Sequence, residues 1–454
     1  MPTPLIVISV LFVIGYICII LEHNTGIDKA AAAVLTGVLC WTVYVMAAPS
    51  LIDIATLPQE FLASQAGKDP ALIAKIWVGE HRLLESFSEI ASILFFLLGA
   101  MTIVEMVDTY GGFSVITDRI KSTNMVTLLW IIGVVAFFLS AVLDNLTATI
   151  VMISLLRKLV AEHGQRIFFA GIVVIAANAG GAWSPIGDVT TTMLWIGGQI
   201  TTGAIITEIF FPSVACLLVP LLWLTYRMRG QTVTAPAADQ MEARAYTVSE
   251  SHRNIIFAFG IGGLLMVPVF KTVTHLPPFM GMLLSLGVLW VVSEILHDDR
   301  DAALDSGMHI LKVLRRVDTP SVLFFLGILV AVSSLEATGL LRGAADALGS
   351  AISEIQVIVF LIGLLSAVVD NVPLVAAMMG MYDIAVHPVN DPMWLYLAFA
   401  AGTGGSCLII GSAAGVAAMG MERINFFWYA KNIGSLALLG YLAGTAVIFL
   451  PWMF

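Results

Sequence analysis

Two Asp-Asn pairs, Asp144-Asn145 and Asp370-Asn371, stand in the middle of strongly apolar stretches, 125–160 and 355–386. A carboxylate at the centre of a bilayer costs roughly 2.5–3.5 kcal/mol on insertion scales, so one retained there marks a functional site by default. Beside them, Asn145, Asn371 and Thr147 supply neutral oxygens, and a helix break at each pair would free backbone carbonyls. Carboxylate, amide, hydroxyl and carbonyl oxygens together are what a small, hard cation needs when it sheds water. The plainer alternative is that each aspartate caps a helix at a turn, satisfying orphan amides. The symmetric pair favours the cation, which places a small cation at Asp144 and Asp370.

Downstream of each pair lies an interrupted helix. The stretch Asn178-Ala-Gly-Gly-Ala-Trp-Ser-Pro-Ile-Gly-Asp-Val-Thr190 cannot run continuously, because Pro185 removes a donor and three glycines weaken the helix. Its counterpart, Gly402-Thr-Gly-Gly-Ser-Cys-Leu-Ile-Ile-Gly-Ser412, is equally interrupted. Broken helices opposite hairpin tips build one site between repeats, with Asn178, Ser184, Asp188, Thr190, Thr403, Ser406 and Ser412 as lining groups. Glycine for close helix packing is the competing explanation. Five further acids are candidates for a proton relay. Glu105, Asp108 and Glu336 fall near span ends, where interfacial solvation also explains them. Glu89 and Asp318 begin matched helices, which suits helix-start electrostatics as well. Histidines such as His163, His252, His297 and His309 lie near span ends or in loops and read as solvated surface, while Arg423 and Lys431 read as interfacial anchors.

The elements that position these groups follow from composition. Of 454 residues, 59% are hydrophobic and 11% charged, more apolar surface than one soluble core can hide. Apolar length predicts crossings at 5–22, 29–48, 89–107, 166–178 continued at 188–199, and 208–226, then at 254–270, 278–296, 321–335, 393–404 continued at 411–421, and 424–449. The stretches around the Asp-Asn pairs, short and polar at their centres, read as re-entrant helical hairpins. Residues 49–88 read as an external loop with a short surface helix.

An internal repeat organises the whole. Glu89-Ile-Ala-Ser-Ile-Leu-Phe-Phe-Leu97 matches Asp318-Thr-Pro-Ser-Val-Leu-Phe-Phe-Leu326, Leu139-Ser-Ala-Val-Leu-Asp-Asn145 matches Leu365-Ser-Ala-Val-Val-Asp-Asn371, and Gly180-Gly181 with Gly187 matches Gly404-Gly405 with Gly411, at offsets of 229, 226 and 224. The expected fold is thus an all-α polytopic membrane protein of two inverted-topology repeats. Each has five spans, a re-entrant hairpin and a broken helix, over 1–226 and 254–454, joined by a cytoplasmic linker at 227–253. On this topology sixteen Lys and Arg fall on one side, Arg119, Lys121, Arg244 and Arg300 among them, and five on the other. The rich side is cytoplasmic by the positive-inside rule, which puts both termini outside. The first apolar run lacks a positive n-region and reads as a first span rather than a cleaved signal.

The net charge of −10 comes without any dense basic cluster, which argues against a nucleic-acid partner. Cys18, Cys40, Cys216 and Cys407 stand singly, without zinc-site spacing, and read as core packing. No base neighbours Ser184 in sequence, so an intramembrane protease is disfavoured and the chain reads as a non-enzyme.

The stretches Ser-Ala-Val-Leu-Asp144-Asn145-Leu-Thr-Ala-Thr, Asn178 to Asp188, and Ser-Ala-Val-Val-Asp370-Asn371-Val-Pro resemble the NhaD-type sodium/proton antiporters of the ion transporter superfamily. The resemblance covers most of the chain. It implies a bacterial inner-membrane exchanger of Na⁺ or Li⁺ for H⁺, working without a cofactor and forming a homodimer. Relatives that carry dicarboxylates show Ser-Asn-Thr at the hairpin tips, and aspartate in place of serine favours a cation. Burial favours the neutral carboxyl and a bound cation the charged one, so protons and Na⁺ would compete for the same oxygens at Asp144 and Asp370. A Na⁺-coupled dicarboxylate or citrate symporter and an arsenite-type permease are the alternatives; the symporter needs helix N-termini or basic groups facing its substrate.

Overall fold

The computed structural model describes residues 2–20, 22, 26–117, 120, 122–234, 249–296 and 310–450. Arg119, Lys121, Arg244, Arg300, His297, His309 and most of the 227–253 linker lie outside the described residues. Helices dominate, and an isolated antiparallel bridge between Asn124 and Thr232 is the only strand-like pairing among the described residues.

The helices that matter here run in two similar series. The first is α1 (Thr3–Ile20), α2 (Lys29–Leu51), α3 (Leu83–Thr109), α4 (Met125–Leu143), α5 (Asn145–Leu159), α6 (His163–Ala182), α7 (Val189–Ile196) and α8 (Thr202–Arg227). The second is α9 (Glu250–Thr274), α10 (Pro278–Ile295), α11 (Thr319–Ala337), α12 (Ile355–Leu365), α13 (Asn371–Met381), α14 (Pro392–Gly404), α15 (Ala413–Glu422) and α16 (Phe426–Phe449). Among these the order is the same: three long helices, a pair meeting at Asp-Asn, a helix interrupted by a break, and a closing long helix; a further helix, Leu340–Ala351, stands between α11 and α12.

Ten of the described helices are long and apolar enough to cross a bilayer. They are not quite the expected ten. Met125–Leu143 qualifies alone, at 19 residues or about 28 Å, so the first arm of the 125–160 hairpin is not too short to cross, although its 15-residue partner α5 is. In the second hairpin both arms have 11 residues. Segment 49–88 also differs from a loop. Asp69 caps a helix that begins at Pro70, and the chain stays helical through a π-helical turn at Trp77–Arg82 into α3. Pro at the first helical position and an Asp cap are strong start signals, and the charged residues beyond them are good helix formers.

The chain divides into two compact units, each drawn from both series. One comprises Met1–Leu94, Asp318–Ser353 and Ala376–Asp383; the other comprises Phe95–Val317, Glu354–Val375 and Ile384–Phe454. In the first unit α2 packs on α11 through Gly37 and Gly327, where a β-carbon on Gly37 would stand 2.8 Å from the Gly327 carbonyl oxygen. Trp41 Nε1 donates to Val330 O at 2.9 Å and Tyr44 OH to Ala337 O at 3.1 Å across the same seam. Small residues let apolar helices approach this closely where no hydrophobic gradient drives them together. In the second unit, α6 from Phe169 onward and α14 from Met393 onward are buried at every residue. These two helices form the core that carries the site.

Candidate functional site

At the first hairpin tip a single residue ends α4 and starts α5. Asp144 accepts hydrogen bonds from the Thr147 amide (2.8 Å) and hydroxyl (3.0 Å). It is therefore a helix cap, as the plainer reading of the sequence held, and its half-buried carboxylate still has acceptor capacity to spare. Its backbone lies at φ 92° and ψ 159°, a region that only glycine enters freely, so strain is held at this position. Asp370 has no such strain and accepts from the Val372 amide at 3.1 Å.

The first break spans Trp183 to Asp188, later than the sequence suggested, with Gly180 and Gly181 still inside α6. Pro185 sets the break, while the glycines serve close approach. A β-carbon on Gly180 would fall on the carbonyl oxygen of Phe137, and one on Gly404 on that of Gly363. The hydroxyls one turn further along repeat the pattern, Ser140 donating to Ala177 O at 2.6 Å and Ser366 to Ala401 O at 2.8 Å. Each hairpin arm is thus clamped to its own broken helix by one glycine and one serine. Both serines stand in the repeated Leu-Ser-Ala-Val motif but were not among the expected lining residues; their recurrence at equal repeat positions was the available signal.

The two broken helices meet through Asn178. Its Oδ1 accepts from Asn145 Nδ2 at 3.0 Å, and its Nδ2 donates to Ser406 Oγ at 2.8 Å and Ser412 Oγ at 2.9 Å. Asn145 Nδ2 also donates to Asp188 Oδ2 at 2.5 Å. Asp188, 1% exposed, caps α7 through the Thr190 amide (2.8 Å) and hydroxyl (2.7 Å) and is hydrogen-bonded by Asn371. Both hairpin carboxylates lie close enough to Asp188 to interact with it electrostatically. Ser412 caps α15 at the position that Asp188 holds on α7, donation coming there from the Gly415 amide at 3.2 Å.

Asp144, Asn145, Thr147, Asn178, Asp188, Thr190, Asp370, Asn371, Ser406 and Ser412 thus form one polar group inside one unit. Two lining candidates, Ser184 and Thr403, are not hydrogen-bonded to the others: Ser184 donates to Ala141 O at 2.5 Å and Thr403 to Phe399 O within its own helix, each keeping its oxygen lone pairs. The relay candidates stay outside the group. Glu89 is exposed on α3 and, six residues inside that helix, does not begin it. Asp318 is the exposed cap of α11. Both belong to the first unit with Glu336, whereas Glu105 stands 3.9 Å from Arg316 and Asp108 is exposed, both in the second. His163 is not merely solvated: its Nε2 lies 3.1 Å from Glu422 O. Cys40, Cys216 and Cys407 are buried, and all four thiols are free. Among the described residues no cluster of three or more His, Cys, Asp or Glu is arranged to chelate a metal ion.

The citrate transporter family (CitMHS) matches residues 16–402. Sodium/proton antiporter 2 of Arabidopsis thaliana is 44% identical over 96% of this chain and 97% of its own length; sodium/proton antiporter 1 of the same plant is 46% identical over 97% and 71%. The Na⁺/H⁺ antiporter NhaD of Vibrio cholerae is 30% identical over 98% of this chain and 88% of its own length. Among solved structures, the YdaH transporter of Alcanivorax borkumensis superposes with a TM-score of 0.58 over 94% of this chain and 99% of that one, at 13% identity, a likeness of fold alone. The chain belongs to the citrate transporter family and, within it, to the group of relatives named sodium/proton antiporters.

Proposed function

We propose that this chain exchanges Na⁺ or Li⁺ for H⁺ across its membrane, with Asp144 and Asp370 alternately protonated and cation-bound. One observation carries the reading. Three aspartates share a buried group of amide and hydroxyl oxygens at the crossing of two broken helices, and no lysine or arginine is hydrogen-bonded into that group among the described residues. Such a set is shaped for a small cation. Protons and Na⁺ favour opposite states of the same carboxyls, so their competition yields exchange.

The names of the relatives support this reading, and the family description keeps a Na⁺-coupled citrate or dicarboxylate symporter as the second. Everted vesicles separate the two. Na⁺ added to vesicles holding a proton gradient collapses it under the first reading, whereas citrate-dependent Na⁺ uptake marks the second. Asp144→Asn and Asp370→Asn should each abolish the collapse; wild-type exchange in both variants refutes the mechanism.

The rest of the arrangement belongs to this proposal. The halves form inverted repeats, supported by the paired clamps at Ser140 and Ser366. The protein works without a cofactor and is not an enzyme, pairs as a homodimer, and lies in a bacterial inner membrane with both termini outside, supported by the charge count. Glu89, Asp318, Glu105, Asp108 and Glu336 serve as a proton path.

A further inference from the structure

Away from the cation site, three of its helices meet again at one buried carboxylate. Glu422, the last residue of α15, has a side chain 1% exposed. Its Oε1 accepts from Arg157 Nε at 2.6 Å and its Oε2 from Arg166 Nε at 2.7 Å. Arg157 stands in the last turn of α5, Arg166 in the first turn of α6. The Arg157 guanidinium also reaches the Met421 carbonyl, and His163 approaches the carbonyl of Glu422.

A helix C-terminus needs cations and no carboxylate: the macrodipole already makes that end negative. Placing a buried glutamate there opposes the dipole and adds a desolvation cost, which only two well-aimed guanidinium groups can offset. Capping by arginine alone would achieve the end of α15 without it. What the glutamate adds is a tie between α5 and α6, because each of its oxygens holds one of them.

The other ends of the same helices carry the site. Asn145 lies twelve residues from Arg157, Asn178 twelve from Arg166 and Ser412 ten from Glu422, or about 18, 18 and 15 Å along the three axes. Asn145, Asn178 and Ser412 are the groups hydrogen-bonded in a row across the two broken helices. Three struts of similar length are joined at the site by neutral hydrogen bonds and at the far pole by charges. At the corresponding end of α7 the tie is neutral: Asn390 donates to Gln199 O at 2.8 Å and accepts from the Thr201 amide at 2.7 Å.

We propose that Glu422 is a positioning residue for the cation site, bracing α5, α6 and α15 so that Asn145, Asn178 and Ser412 keep their register. The inference rests on the cation-exchange reading. Releasing the brace lets α15 slide on α5 and α6, spreading the oxygens that receive the cation; the hairpin carboxylates are untouched. The Na⁺ concentration for half-maximal exchange then rises, while the rate at saturating Na⁺ falls less.

The test is Na⁺-dependent proton exchange by the purified full-length protein in liposomes, titrated with Na⁺ and scaled to the monodisperse fraction. Glu422→Gln keeps the shape and removes the charge, and should raise half-saturating Na⁺ tenfold or more; Glu422→Asp, which keeps the charge, should recover part of that loss. Should Glu422→Gln fail to fold, Arg157→Lys carries the test, because this half-exposed side chain would keep its charge and lose its planar fork; a rise of about threefold is expected. Half-saturating Na⁺ within twofold of wild type in the folded variants, with only the yield of folded protein reduced, overturns the brace. Absence of exchange in the wild type measured alongside would remove the cation reading itself, and the brace with it.

Discussion

Asn178 offers the sharpest test of how the two broken helices are joined. It has no polar equivalent in the second half, where the repeat offset of 224 places Gly402. It makes three hydrogen bonds, one accepted from Asn145 and two donated to Ser406 and Ser412, all within buried surroundings at 2.8–3.0 Å. At about 1 kcal/mol net per bond, Asn178→Ala should destabilise the protein by about 3 kcal/mol. Asn145 retains Asp188 as a partner and Ser412 Oγ retains the Gly415 amide as a donor, which keeps the loss from growing further. The prediction lies in the coupling as much as in the total. Ser412→Ala alone removes one of the three bonds and the cap on Gly415, and the Asn178→Ala, Ser412→Ala pair should lose less than the sum of its parts, by about 1 kcal/mol. Denaturation of the purified variants, read beside Na⁺-dependent exchange, measures both quantities. Losses that add to within about 0.3 kcal/mol would mean that Asn178 and Ser412 do not share a bond, and the link between the broken helices would fall with it.

Three glycine substitutions sort packing from backbone freedom. Gly180→Ala and Gly404→Ala each drive a methyl into a backbone carbonyl and should cost at least about 1–3 kcal/mol and most of the exchange, whereas Gly262→Ala, with nothing within 4 Å of its would-be β-carbon, should stabilise by about 0.5–1 kcal/mol; thermal unfolding of the three variants checks the contrast. Asp144→Gly should raise stability by about 1 kcal/mol, because glycine relieves the strained backbone and loses only a few tenths as a cap, yet it should abolish exchange. A less stable Asp144→Gly variant would show that the carboxylate, and not the backbone, governs this position.

Much of the site could be read from the chain because its groups sit where a membrane tolerates them least. Asp144, Asp370 and Asp188 interrupt apolar runs, and Asn178, Ser406 and Ser412 stand at breaks marked by glycine and proline. Glu422 escaped that logic. It follows a span, where an acid is unremarkable, and its partners Arg157 and Arg166 lie 265 and 256 positions away in sequence. For Thr403 and Ser184 the spacing along the chain shows a hydroxyl beside a break and not its partner, a backbone carbonyl in each case. Within 49–88, where charge predicts a loop with a short surface helix, Asp69-Pro70 starts a helix that runs on into α3.

By itself the sequence determined the class of protein, the repeated order of its elements and the cation-suited residue types, because apolar length, helix breakers and intramembrane carboxylates each have a local physical cost that only certain structures meet. Which oxygens face one another was decided by tertiary packing alone. Asn178 reaches Ser412 across 234 residues of chain, and Glu422 ties two helices of the other half, since hydrogen-bond partners are chosen by the crossing of helices in space and leave no mark in the spacing along either one.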